Sequence, residues 1–289
     1  IPKVPAQIVA DIAVEARIKQ KLRHVPLLIC REMARHPEHK KLVADTLDKV
    51  ILRADELSEF LAVYWNDNGG KKTLPQQVKK GLAKAFSKFN EYQLAKYNRH
   101  NKSVKLSDVL NLCHAKAKDA DQNDLWKRLL EDKLTVPDTW EVGISTCKTI
   151  EEKKVVWERL INEKKLGANA FLKNLRNMTL AKVDPSIIRN GLINIKKDML
   201  VPLDFLKAEK YAPDFSREIE QAMLSCASEW KKLPGKTILV VDVSGSMGTA
   251  LSSKSEFNRM DTAAAMAVLA SELCESVSIY ATAGSDAKG

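Results

Sequence analysis

The run Thr237 to Met247, TILVVDVSGSM, constrains this chain more than any other stretch. A β-branched apolar run ends on an aspartate, and that aspartate opens the pattern Asp242-x-Ser244-x-Ser246. Such a run reads as a buried strand, which in α/β proteins delivers its last residue to the carboxyl edge of a parallel sheet, where ligands bind. Gly245 and Gly248 ease the turn that follows, so one carboxylate and two hydroxyls can face one spot. Three hard oxygens suit a divalent cation, Mg²⁺ or Mn²⁺, that keeps waters and takes a further ligand from a partner. The same residue types also make a polar turn whose hydroxyls cap the next helix, and residue type alone leaves both readings open.

The spelling of this turn argues against enzyme chemistry. A nucleophile elbow needs Gly-x-Ser-x-Gly, whereas Ser244 lies two places before Ser246 and Asp242 two places before Ser244. No Walker lysine and no Gly-x-Gly-x-x-Gly is present. A phosphoryl-aspartate enzyme wants a second carboxylate two residues after the nucleophile, and Ser244 stands there. None of the five histidines, His24, His36, His39, His100 and His114, is near the serines in sequence. A protein without catalysis of its own is expected.

Before Pro234 the chain reads as amphipathic helices. Leu47, Val50, Ile51, Ala54, Leu57 and Leu61 trace one apolar stripe, and Ile219, Met223, Cys226, Ala227 and Trp230 trace another. Breakers such as Pro137-Asp138, Asp184-Pro185 and Ala212-Pro213 separate the helices. Stacked helix pairs of this kind leave long exposed faces for extended partners. At Trp230 to Lys236 the composition changes from charged helix to β-branched strand, which marks a boundary between a helical and an α/β domain. The segment 256–275 then reads as a helix and 276–282 as a second strand.

Charge is concentrated in one segment. Between Lys71 and Lys118 lie twelve basic residues against only Glu91 and Asp108, which equals the net charge of +10 for the whole chain. A one-signed segment is either a solvated lysine-rich helix face or the footprint of a polyanion. Phe86, Phe89, Tyr92, Tyr97, His100 and His114 are interleaved with the cations, and rings beside phosphate-binding cations suit single-stranded RNA. Phe86 and Phe89 share an apolar stripe with Val78 and Leu82 and are expected in the core. Candidate RNA contacts in this segment are Lys79, Lys80, Lys84, Lys96, Arg99, His100, Lys102, Lys105 and His114.

No apolar run approaches the roughly 20 residues of a membrane span, so no membrane partner is expected and a cytoplasmic setting is. The five cysteines are scattered without a C-x-x-C pair, which argues against a disulfide framework or a zinc site and for a reducing compartment.

VVDVSGSM resembles the metal-ion-dependent adhesion site that opens a von Willebrand factor A domain, and the helix and strand after it agree with that beginning. The resemblance implies a further threonine and aspartate beyond Gly289, so only the first half of that domain is expected here. A helical array followed by this motif is similar to the TROVE family, the Ro autoantigen and its bacterial relatives. Three more segments carry that likeness: Phe171 to Met178, where Arg176 replaces a usual glycine; Asp198 to Lys207, where Val201 replaces a frequent histidine; and Lys96-Tyr97 followed by Ser107 to Leu110 and His114.

The resemblance implies a mainly α chain, with a helical-repeat, HEAT-like array over 1–231 and the first half of an α/β, Rossmann-like domain over 237–289. It also implies a monomeric ring whose lumen takes single-stranded ends of misfolded noncoding RNA, whose outer basic surface binds Y RNA, and which works with an exoribonuclease. Lys173, Asn174, Arg176 and Asn177 are the lumen candidates. The competing expectation is a metal-dependent protein–protein adhesion or scaffold module that binds no RNA.

Overall fold

The computed structural model describes the chain except for residues 2, 67–72, 99–102, 197–199, 201, 228–230, 252, 254–256 and 283–289. The chain forms two compact units, Ile1–Asp138 and Thr139–Gly289. The first holds α1 (Ala6–Ile18), α2 (His24–Arg35), α3 (Val43–Val50), α4 (Ala54–Asn66), α5 (Gln76–Phe86), α6 (Glu91–Tyr97), α7 (Leu106–Cys113) and α8 (Ala120–Leu130). The second holds α9 (Trp140–Thr146), α10 (Ile150–Asn162), α11 (Ala168–Leu180), α12 (Pro185–Ile193), α13 (Pro202–Tyr211), α14 (Ser216–Ala227), β1 (Leu233–Asp242), α15 (Arg259–Glu272) and β2 (Cys274–Thr282). Among the described residues no helix is long and apolar enough to cross a membrane.

The stripe from Leu47 to Leu61 is buried as expected, but two helices share it. The chain leaves helix at Ile51 because Glu56 offers its backbone another partner. The Glu56 carboxylate accepts the Leu52 and Arg53 N–H groups at 2.8 and 3.1 Å, which supplies the start of α4. Glu56 is fully buried, and Arg17 neutralises it at 2.6 Å. The first core then runs through Leu27, Met33, Leu47, Phe60, Leu82, Phe86 and Trp126. Phe86 and Phe89 lie in it, as their stripe requires.

In the second unit α10 to α14 enclose Trp157, Phe171, Leu175, Phe205 and Phe215, and Leu269 of α15 joins the same core. That shared burial explains the grouping: the compact division falls between Asp138 and Thr139, and the composition change near Pro234 lies inside the second unit. β1 and β2 are parallel, joined through α15, with Ile238, Val240 and Asp242 paired to Ser278, Tyr280 and Thr282.

The expectation of a buried strand needs correction. Paired residues of parallel strands share a face, and on this face Ile238, Val240 and Tyr280 are 66, 65 and 58% exposed. Residues on the other face, Thr237, Leu239 and Val241, are half-buried. Parallel sheets are normally covered by helices on both sides, and among the described residues of this unit α15 packs on β1 and β2.

Candidate functional site

The lysine segment is held by α5, α6 and α7. Val78, Leu82, Ala85 and Phe86 turn one side of α5 inward, and the cations take the remaining arc. Gly81 sits where α5 meets α3: a Cβ there would stand 2.9 Å from Leu47 Cβ and 3.0 Å from the Ala44 backbone. This close approach places α3 carboxylates under two of the lysines. Lys84 pairs with Asp45 at 2.6 Å, and Lys88 pairs with Asp48 at 3.1 Å while also donating to the Ile51 carbonyl at 2.9 Å. The Lys84 bond holds the Asp45 carboxyl below its ordinary range. The one-signed segment is thus partly neutralised from α3.

Lys79, Lys80 and Lys105 have no ion-pair partner among the described residues. Lys96 lies 5.9 Å from the Tyr92 ring centroid and 5.7 Å from that of Tyr97, and Arg53 covers Tyr97 at 4.9 Å. Tyr92 is 45% exposed, so α6 presents a cation and an open ring side by side. Its start is fixed by a capping box, in which Asn90 accepts the Gln93 N–H at 2.9 Å and Gln93 accepts the Asn90 N–H at 3.0 Å. Arg53 precedes the basic segment and escaped the sequence reading, because helix packing rather than sequence distance brings it to Tyr97. Arg99, His100 and Lys102 lie outside the described residues.

His114 ends α7 in the left-handed region, with φ 52°. It lines a cavity of about 580 Å³ between α4, α5 and α7. Trp65, Leu74 and Val104 make an apolar wall, and Lys79, Asn111 and His114 add polar groups. Lys79 and His114, 35 residues apart in sequence, are brought to one cavity.

The four lumen candidates on α11 divide. Lys173, Arg176 and Asn177 are exposed, and Arg176 lies 5.7 Å from the Tyr211 ring centroid. Asn174 is 4% exposed, and its amide donates to the Ala170 carbonyl at 2.9 Å and accepts from Asn177 at 2.8 Å. That corrects its assignment as a surface contact. The α11 face it shares with Phe171, Leu175 and Met178 is the core face, so its amide is satisfied inside the protein and is not presented to a ligand.

At the end of β1 the predicted oxygens do come together. Ser244 Oγ and Ser246 Oγ are 3.1 Å apart, and Asp242 Oδ1 accepts the Ser244 N–H at 2.9 Å. Thr282 Oγ1 donates to Asp242 Oδ1 at 3.2 Å. The Ser244 N–H, then the Ser244 hydroxyl, then Thr282 hold the Asp242 carboxyl below its ordinary range, so it stays ionised. Thr282 was not predicted; the parallel register that sets it opposite Asp242 is the signal that could have found it. This donor set of one carboxylate and three hydroxyls suits a hard divalent cation, and its hydrogen bonds equally satisfy a capped turn.

A helical scaffold carrying a parallel strand–helix–strand element with an oxygen-rich turn at the strand end is the class these features define. The family model described as the TROVE domain matches residues 126–272, just over half of the chain, and the chain belongs to that family. The fold is similar to that in the crystal structure of the Deinococcus radiodurans RO (RSR) protein, at 18% identity and a TM-score of 0.68, covering 96% of this chain and 67% of that one. No curated protein matches the chain by sequence.

Proposed function

We propose that this TROVE-domain protein binds noncoding RNA and has no catalytic step of its own. The observation that carries the reading is the set of cations on the first unit without a carboxylate partner among the described residues, Lys79, Lys80, Lys96 and Lys105, together with the open Tyr92 ring that Lys96 accompanies. Cations without carboxylate partners bind phosphates by releasing counterions, and an exposed ring accepts an unstacked base. Family membership and the fold likeness to a Ro protein support the same reading.

The family resemblance extends the proposal. Y-like RNA takes the lysine surface, while Lys173, Arg176 and Asn177 receive single-stranded ends in the lumen of a monomeric, HEAT-like ring. The β1–α15–β2 element is the first half of a von Willebrand factor A domain. Asp242, Ser244, Ser246 and Thr282 would hold Mg²⁺ or Mn²⁺ there, and a bound ion supplies an electrophilic seat for an acidic group. An exoribonuclease partner and a cytoplasmic setting belong to the same proposal.

The test is affinity for a structured RNA with a single-stranded end, measured over a salt series. Replacing Lys80, Lys96 and Lys105 together by glutamate should weaken binding and flatten the logarithmic salt slope by about one per lysine. Unchanged affinity in a folded variant would sink the RNA reading. Affinity for a protein partner that responds to chelator, with none for RNA, would favour the adhesion module.

A further inference from the structure

We propose that the cavity between α4, α5 and α7 is a pocket for one unpaired RNA nucleotide. This rests on the RNA-binding reading and adds to it the unit of recognition. The cavity measures about 580 Å³, within the range of about 300 to 1,000 Å³ of small-molecule sites. Its wall is apolar and aromatic, from Trp65, Leu74 and Val104. A nucleobase needs such a wall, since the face it loses on unstacking must be covered elsewhere.

Its polar groups match the rest of a nucleotide. Lys79 is half-buried, and no carboxylate among the described residues pairs with it. A cation that is partly removed from water without an ion-pair partner favours an incoming anion, here the phosphate. The Asn111 side chain has no hydrogen bond among the described residues and offers both a donor and an acceptor to a base edge. Asp108, one turn earlier on the same face of α7, accepts the Lys105 N–H at 2.8 Å through one oxygen, and it also lines the cavity. A lysine-bearing pocket with an apolar wall and an amide at its rim separates a nucleotide from a free phosphate, which would need no wall, and from an apolar ligand, which would need no cation.

The test compares two RNA hairpins of equal length, one fully paired and one with a single bulged nucleotide, each titrated against the whole chain at fixed salt. The wild-type protein should bind the bulged hairpin about tenfold more tightly, the scale of effect expected from stacking one base. Leu112→Trp, which fills the cavity from a 37% exposed position, should remove that preference and leave affinity for the paired hairpin unchanged. Asn111→Ala, at an exposed position, should reduce the preference without disturbing the fold. Equal binding of both hairpins by the wild type, or a preference that survives Leu112→Trp, overturns the pocket while leaving the RNA reading intact. Binding of neither hairpin overturns both.

Discussion

Glu56 is the residue on which the first unit turns. One carboxylate neutralises the buried Arg17 and supplies the missing hydrogen bonds at the start of α4. Arg17 is 4% exposed and also donates to the Val50 carbonyl at 3.0 Å, so it cannot escape to solvent if its partner is lost. Glu56→Ala should therefore cost about 3 to 5 kcal/mol, read from the denaturant midpoint. The exposed Lys19–Glu15 pair should contribute only a few tenths of a kcal/mol to the same measurement. An effect of Glu15→Ala equal to that of Glu56→Ala would overturn this account.

Glu91 gives a pH-dependent counterpart. The Arg128 guanidinium first, and then the Thr135 N–H, lower its carboxyl from 4.5 to about 2. In the unfolded chain the group takes up its proton near 4.5, so its stabilisation is complete above that pH and disappears as pH falls towards about 2. Acid titration followed by circular dichroism should show Glu91→Gln losing less stability than wild type across that window. Parallel curves would refute the assignment.

At the scale of elements, the α3–α5 contact decides how much of the lysine segment stays charged towards solvent. Alanine at Gly81 favours helix by about 1 kcal/mol. The 3.0 Å approach of its Cβ to the Ala44 backbone leaves no flexible atom to yield, however, and overpacking costs about 1 to 3 kcal/mol. Gly81→Ala should lower the melting temperature, and a rise would show that the helices separate readily.

The strand-end turn is the other element with a decisive measurement. If Asp242, Ser244, Ser246 and Thr282 hold a divalent cation, calorimetric titration of Mn²⁺ should detect binding that Asp242→Ala abolishes, with RNA affinity retained. Binding of equal strength in both proteins would leave this turn as a capped strand end.

For the whole molecule, a net charge of +10 counts only through its pairing. Lys84 and Lys88 already face Asp45 and Asp48, so they bring less net charge with which to neutralise phosphates and release the RNA's condensed counterions. Lys80→Ala should therefore weaken RNA binding and reduce its salt slope more than Lys84→Ala does, although the two stand four residues apart on one helix. The opposite order would show that the Asp45 pair opens on binding.

Helix content, the strand-end turn, the strand after it and the burial of Phe86 and Phe89 were all legible in the sequence. These follow from periodicity, β-branching and turn residues, which act over a few neighbouring positions. The break of the Leu47–Leu61 stripe was not legible, because it depends on Arg17 arriving from another helix to neutralise Glu56. Asn174 looked like a surface amide until the packing of α11 placed it inward. Thr282 joined Asp242 through strand register, and Asp45 joined Lys84 through a glycine that lets two helices touch. Each depends on partners about 30 to 40 residues apart, with Asn174 set by packing around its helix, and spacing along the chain carries no information about such encounters; the fold alone decides which charges meet, and so which remain for a ligand.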